Sequence, residues 1–118
     1  MPAEKRTRVE VFLPIRPDIP AFQIVSDWLA EELAYARGGA TLTTPFTGLY
    51  KSTVASGVIR DTITVLFVDF NLDLDIPEHG MELTVYLDGI RRLLVDVLHE
   101  EEIWIVYHSV ERVVGSGY

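Results

Sequence analysis

The stretch Thr62-Ile63-Thr64-Val65-Leu66-Phe67-Val68 lies in the middle of a longer run, Val58 to Phe70, that is rich in β-branched and aromatic residues. Residues of these types favour pleated, packed strands. The centre of the run is apolar on both faces, which is typical of a strand with neighbours on each side. We therefore predict that it forms an inner strand of a sheet.

A helix is predicted on each side of this strand. Before it, Asp18 can cap a helix and Gly38-Gly39 can end one. The apolar residues between these two signals recur at helical spacing, at Phe22, Val25, Leu29, Leu33 and Ala36. After the strand, the same spacing runs from Glu82 to His99, through Leu83, Leu87, Ile90, Leu94 and Val97. Each pattern gives one apolar stripe, so each helix should pack on the sheet.

Three further strands complete the pattern. Val9 to Leu13 predicts a first strand. The threonine-rich segment Ala40 to Thr44, continued by Tyr50 to Thr53, predicts a second strand, and Ile103 to His108 predicts the last one. The resulting order is β-α-β-β-α-β, which is the order of a ferredoxin-like α+β fold. In that fold an antiparallel sheet carries both helices on one face.

The composition sets limits on the type of protein. A chain of 118 residues suits one domain, which we expect to span 1–118, with flexible ends at 1–7 and 114–118. A formal charge of -8 disfavours nucleic-acid binding. No apolar run approaches the ~20 residues that cross a bilayer, so no membrane partner is expected. Without a predicted signal peptide, the cytoplasm is the default location.

The sheet face opposite the helices should be apolar. The last strand presents Trp104, Val106 and His108 in one direction and Ile103, Ile105 and Tyr107 in the other. Large exposed apolar patches are uncommon on soluble monomers. We therefore expect a homo-oligomer that forms through the open sheet face. The alternative is that the carboxy-terminal tail covers this face.

The segment from Gly38 to Ser52 is the best candidate for a binding site, since it combines hydroxyls, glycines, an aromatic residue and one of the two lysines of the chain. Glycine amides, hydroxyls and an ammonium group suit an anion. The candidate ligand-binding residues are Thr41, Thr43, Thr44, Gly48, Tyr50, Lys51 and Arg60. The ligand would be a small anionic metabolite or a carboxylate of a protein partner. The alternative interpretation is a β-hairpin without a ligand.

No catalytic residue, metal site or cofactor is predicted. Ser52, Thr53 and Ser56 lack a neighbouring base, and the absence of cysteine excludes thiolate chemistry. The run Asp69 to Asp75 begins like a calcium loop, but Leu74 stands where such a loop needs glycine. The acidic run Glu100-Glu101-Glu102 is interpreted as a solvated turn.

A second interpretation is a small cofactor-free enzyme of the dimeric ferredoxin-like type, with a pocket between the helices and the sheet. Its pocket residues would be Asp69, Trp104, Tyr107 and His108, with His108 as the acid or base. A third interpretation is a structural subunit of a larger complex. We prefer neither of these two. The preferred interpretation is a small oligomeric ligand-sensing or protein-interaction module, with its site in the segment from Gly38 to Ser52.

Several short motifs support a family resemblance. They are Gly38-Gly39-Ala40-Thr41, Gly48-Leu49-Tyr50, Gly57 and Arg60-Asp61. With these motifs the chain resembles a small uncharacterised bacterial family of ferredoxin-like, PII-like proteins, which tend to carry Trp at the position of Tyr50 and Glu at that of Asp61. The resemblance implies a ferredoxin-like fold. It implies no nucleotide site of the PII type, because Thr53 to Arg60 lacks the required Thr-Gly-x-x-Gly-Asp-Gly-Lys loop.

Overall fold

The computed structural model describes residues 3–37, 39–51 and 57–115. The chain is an α+β protein with two helices and a five-stranded antiparallel sheet. Its elements are β1 (Ala3–Pro14), α1 (Phe22–Arg37), β2 (Thr41–Leu42), β3 (Phe46–Lys51), β4 (Val58–Phe70), α2 (Pro77–Leu98) and β5 (Ile105–Val113). Strand β4 is an inner strand, as predicted. It pairs with β1 on one side and with both β2 and β3 on the other.

The second predicted strand is divided into two pieces, so the observed order is β-α-β-β-β-α-β. Leu42 pairs with Leu66, and Phe46 pairs with Ile63. The three residues Thr43 to Pro45 therefore lie opposite only two residues of β4. This one-residue excess is a bulge, and Pro45 has no N–H with which to continue the ladder. The sheet order is β2-β4-β1-β5, with β3 also paired to β4.

One face of the sheet and both helices form a single core. In β1 and β4 the buried side chains on this face alternate with less buried ones, at Val9, Val11, Leu13, Leu66, Val68 and Phe70. The helices contribute Leu29, Leu33, Leu83, Leu87, Ile90, Leu94 and Leu98. The predicted stripes are thus largely confirmed. In α2 the buried residue of the last turn is Leu98, whereas Val97 is half-buried.

Helix α2 is longer than its apolar stripe predicts, because it begins at Pro77 instead of Glu82. Proline is well tolerated in a first turn, where its missing N–H has no helical partner. The helix ends at His99, which adopts the left-handed conformation with φ 55°. The Glu100 N–H then donates to the Val95 carbonyl at 3.1 Å. This turn directs residues 100–102 toward the end of β1.

The sheet face opposite the core divides into two ends of different chemistry. Strand alternation and register place charged side chains at one end, namely Glu4, Arg6, Arg8, Asp69 and Arg112. Apolar side chains lie at the other end, namely Phe12, Ile63, Val65, Trp104 and Val106. Ile63 and Val65 are buried even here, whereas Trp104 and Val106 are exposed. Within the described ranges, neither helix is long and apolar enough to cross a bilayer.

Candidate functional site

A cleft of about 720 Å³ opens at the apolar end of the sheet. Strand β1 and the segment after it provide one wall, and the facing ends of β3 and β4 provide another. The turn between α2 and β5 closes the third side. Of the described residues, none from the two helices lines the cleft, so it lies at the end of the sheet and not between helices and sheet.

Arg16 holds two carboxylates in the cleft wall. Its Nε donates to Glu100 Oε2 at 2.6 Å and its Nη2 donates to Glu100 Oε1 at 3.0 Å. The same Nη2 lies 3.0 Å from Asp61 Oδ1. All three side chains are at most 22% exposed. The hydrogen bond to Glu100 is the main cause that raises the pKa of Arg16 above its ordinary value.

This arrangement joins three distant segments of the chain. Arg16 follows β1, Asp61 lies on β4, and Glu100 follows α2. A guanidinium group that forks onto one carboxylate and also contacts a second one fixes the position of both. The oxygens of Asp61 and Glu100 are therefore held in place before any ligand arrives.

Two aromatic rings form the apolar wall of the cleft. Phe12 and Trp104 meet edge to face, with centroids 6.4 Å apart and an interplanar angle of 76°. The Phe12 N–H donates to the Trp104 carbonyl at 2.9 Å, which continues the β1–β5 pairing to this end. The Trp104 side chain is 51% exposed, so a ligand in the cleft can reach its ring.

The cleft carries more negative than positive side chains. Asp61 and the run Glu100 to Glu102 supply four carboxylates, whereas Arg16 and Lys51 supply two cations. Sequence reasoning gave Glu100 to Glu102 no role, and the structure places all three on the cleft wall. The signal that could have identified them is the fold order, which brings the turn before the last strand next to the end of the first.

The residues predicted to bind an anion lie in different places. Lys51 lines the cleft, whereas Thr41 borders a separate cleft at the charged end of the sheet. The Thr43 hydroxyl accepts a hydrogen bond from the Val65 N–H at 3.0 Å and so supports the bulge. Thr44 is exposed within that bulge. Thr41 and Lys51 thus stand at opposite ends of one sheet edge.

Three other predicted positions belong to the paired β3 and β4 strands. Gly48 pairs with Asp61, and Arg60 pairs with Leu49 and is exposed. Tyr50 pairs with Ile59 through its backbone. Its side chain lies outside the described part of the structure, as do Gly38 and the hydroxyl residues Ser52, Thr53 and Ser56.

The structure does not bring together the four residues of the alternative pocket. Trp104 lines the cleft. Tyr107 lies on the helix-covered face, where its hydroxyl is 3.4 Å from Thr84 Oγ1. His108 lies on the opposite face, with Nδ1 3.8 Å from a Glu10 carboxylate oxygen. Asp69 receives a two-bond fork from Arg8.

The acidic run after β4 is organised by turns. The Asp75 N–H donates to Asp73 Oδ1 at 2.9 Å, and the Asp73 N–H donates to His79 Nδ1 at 3.0 Å. Lys5 forms an ion pair with Asp75. In the described ranges, no group of three or more His, Asp or Glu side chains could hold a metal ion.

Comparisons with known proteins give one structural match. No family model and no curated protein matches the chain in sequence. Among solved structures, the chain is similar to a phage SAM lyase in complex with S-methyl-5'-thioadenosine, with a TM-score of 0.60 and 9% sequence identity. The match covers 96% of this chain and 92% of the other. An identity this low shows a common fold alone.

This finding corrects our preferred interpretation of the function. We interpreted the chain as a ligand-sensing or protein-interaction module with no catalytic motif, but the similar structure is that of an enzyme. The match instead favours the alternative of a small enzyme. At the level of the fold, the α+β architecture is compatible with a ferredoxin-like fold.

Proposed function

We propose that this chain is a small lyase that cleaves S-adenosylmethionine (SAM), and that its active site is the cleft at the apolar end of the sheet. The observation that carries the proposal is the chemistry of the cleft, where an aromatic wall meets carboxylates fixed by Arg16. The match to a phage SAM lyase along nearly the whole chain supplies the reaction class.

The cleft suits a nucleoside that carries a positive charge. A volume of about 720 Å³ lies within the range of small-molecule sites. Adenine can stack on the exposed Trp104 ring, and a sulfonium group is attracted both to aromatic faces and to carboxylates. The ribose hydroxyls can donate to Asp61 or Glu100. Lys51 is placed to pair with the substrate's own carboxylate.

Cleavage that leaves S-methyl-5'-thioadenosine breaks the bond between the sulfonium sulfur and the amino-acid side chain. Sulfur keeps the bonding electrons and becomes a neutral thioether. As this bond breaks, the amino-acid fragment either loses a proton from the neighbouring carbon to a base or is attacked by its own carboxylate at the carbon that leaves sulfur. In the first case a cleft carboxylate is the acceptor for the proton, and in the second Lys51 orients the attacking group. The two fragments are isomers of equal mass, so proton NMR distinguishes the routes, since only the fragment that has lost a proton carries vinyl hydrogens.

The charge of the cleft also favours turnover. Four carboxylates against two cations attract the cationic substrate. The thioether product has lost that charge, so the same carboxylates hold it less tightly. Arg16 acts as a positioning residue, since it contacts the carboxylates and not the reacting atoms.

The test is to incubate the purified chain with SAM and to follow S-methyl-5'-thioadenosine by chromatography and mass spectrometry. Trp104→Ala should reduce its formation by about tenfold or more, because stacking on an aromatic ring contributes ~1–3 kcal/mol per base. Trp28→Ala is the matched control, since Trp28 is 42% exposed on α1. A folded wild-type protein that releases no S-methyl-5'-thioadenosine at saturating SAM contradicts the proposal.

We also propose that the fold is ferredoxin-like in the order of its helices and strands. If β2 and β3 are two pieces of one edge strand interrupted by the bulge at Thr43 to Pro45, the chain reduces to the β-α-β-β-α-β order. The bulge supports this grouping, because both pieces pair with β4 on the same side. The grouping would be contradicted if hydrogen exchange showed that the backbone amides of β2 and those of β3 open independently.

We further propose that copies of the chain associate through the apolar end of the open sheet face. Phe46 and Val106 are 43% and 37% exposed there, beside the cleft. Light scattering after size exclusion should give a multiple of 13.3 kDa. Val106→Glu should dissociate the oligomer, whereas Val85→Glu on α2 should not. A wild-type monomer contradicts this proposal and favours cover by the carboxy-terminal tail.

A further inference from the structure

A second cleft lies at the charged end of the open sheet face. Its volume is about 490 Å³, and its charged lining consists of Arg6, Arg8, Arg112 and Asp69. The whole chain has 18 acidic and 10 basic residues. Three cations around one cleft are therefore a marked local departure from the acidic character of the chain.

The alternation of β1 explains how these cations converge. The sequence places Lys5, Arg6 and Arg8 close together, but successive side chains on a strand point to opposite faces. Lys5 lies on the face of Thr7 and pairs with Asp75. Arg6 and Arg8 share the open face with Arg112 of β5, which lies directly opposite Glu4.

Each arginine keeps hydrogen-bond donors that its protein partners do not use. Arg8 gives Nε to Asp69 Oδ1 at 2.8 Å and Nη2 to Asp69 Oδ2 at 3.0 Å. Arg6 gives Nε and Nη2 to the same oxygen, Glu4 Oε1. Arg112 Nη1 lies 3.5 Å from that oxygen as well. A guanidinium group has five N–H donors, so most of them are still available within the described ranges.

The electrostatic state of Asp69 agrees with an excess of positive charge. The hydrogen bond from Arg8 is the main cause that lowers the pKa of Asp69. The charges of Arg8, Arg6 and Arg112 lower it further through space. The field in the cleft thus stabilises a negative charge beyond what the Arg8 fork alone provides.

We propose that this cleft binds a small oxyanion, a ligand whose phosphate or carboxylate oxygens bridge Arg6 and Arg112. Planar guanidinium groups match the geometry of both kinds of oxyanion. The Thr41 hydroxyl and the backbone of Gly39 lie at the rim, where β2 begins, and Phe67 offers an apolar surface beside them. This site lies at the opposite end of β1 and β4 from the proposed active site.

The proposal is tested by calorimetric titration of the full chain with pyrophosphate and, separately, with citrate at constant ionic strength. Arg112→Gln should weaken the binding of the preferred anion by about tenfold, since each lost charge-assisted hydrogen bond weakens binding. The matched control is Arg92→Gln on α2, which removes the same charge from an exposed side chain, 75% exposed against 63% for Arg112. Preference for pyrophosphate identifies a phosphate ligand, and preference for citrate identifies a carboxylate ligand.

A second measurement locates the anion. In a two-dimensional NMR titration, the amides of Thr41, Val68 and Asp69 should shift, and that of Trp104 should not. Saturable binding to neither anion overturns the proposal, as does equal weakening by Arg112→Gln and Arg92→Gln. So does a shift confined to the cleft around Trp104. Because Arg112 lies outside the proposed active site, the Arg112→Gln variant should still release S-methyl-5'-thioadenosine from SAM. This result separates the test of anion binding from the test of the proposed function.

Discussion

Arg16 and Glu100 are 84 residues apart in the chain, yet their side chains meet through two hydrogen bonds, from Nε at 2.6 Å and from Nη2 at 3.0 Å. Arg16 follows the first strand, and Glu100 follows the second helix. The pair therefore ties the turn after α2 to the end of β1. It also sets the distance between two walls of the proposed active site.

Replacing Arg16 with lysine should lower the free energy of unfolding by about 1–2 kcal/mol, because an ammonium group cannot fork onto Glu100 and reach Asp61 as well. Urea unfolding measures the change. Arg91→Lys is the control, since Arg91 pairs with Asp88 on the surface and is 43% exposed. That variant should lose less than about 0.5 kcal/mol. Equal losses in the two variants would show that the Arg16 fork adds no stability.

Replacing Glu102 with glutamine should raise the KM for SAM about threefold to tenfold, because one carboxylate that attracts the sulfonium charge is lost. The Kd of S-methyl-5'-thioadenosine should stay unchanged, since this product is neutral at sulfur. Steady-state kinetics and product titration measure the two constants. Glu82→Gln, at an exposed position of α2, serves as the control. A parallel weakening of substrate and product would refute a charge-selective cleft.

Asp69 should stabilise the protein near neutral pH, and this contribution should be lost in strong acid. The Arg8 hydrogen bond is the main cause that lowers the pKa of this carboxyl below 3.8. A carboxyl group with a lowered pKa stabilises the fold above its ordinary pKa and loses this contribution as the pH falls through the folded value. The wild type should therefore exceed Asp69→Asn in urea midpoint at about pH 6, and the two should converge as the pH falls through the lowered pKa of Asp69. A gap that stays constant with pH would contradict the role of the Arg8 fork.

Replacing Leu33 with alanine should lower the free energy of unfolding by about 2–5 kcal/mol, since the cavity would form between α1 and the sheet. Leu33 is fully buried, whereas Ile24 on the same helix is 72% exposed. Ile24→Ala should therefore change the stability by less than about 0.5 kcal/mol. Thermal unfolding of both variants measures the difference. A large effect of Ile24→Ala would indicate that a partner covers this side of α1.

The periodicity of apolar residues predicted those helices and strands whose burial follows one pattern along the sequence. The stripes around Leu33 and Leu87 and the apolar run around Val65 each depend on one burial pattern, and the structure confirms all three. The division of the second strand was harder to foresee. Ala40 to Thr44 has good strand propensity throughout, and the bulge arises from register with β4, which a local pattern does not contain.

The candidate site could be predicted only in part for a similar reason. Lys51 and Trp104 were identified by their residue types, and both line the cleft. Glu100 resembled a residue of a solvated turn, because its partner Arg16 is remote in sequence. Arg16 itself stands between two prolines, Pro14 and Pro17, in a segment without periodic pattern. Only the tertiary arrangement shows that the two residues belong to one site.

The bulge at Thr43 to Pro45 also protects the sheet against uncontrolled growth. An outer strand with free N–H and C=O groups can template the addition of another chain and so begin an aggregate. Here the bulge breaks the run of paired residues, and Pro45 has no N–H to offer. The edge that β2 and β3 form is thus interrupted midway along its length. Growth by strand addition is therefore hindered at this edge, and strands of two copies would have to join along the other edge, which β5 forms.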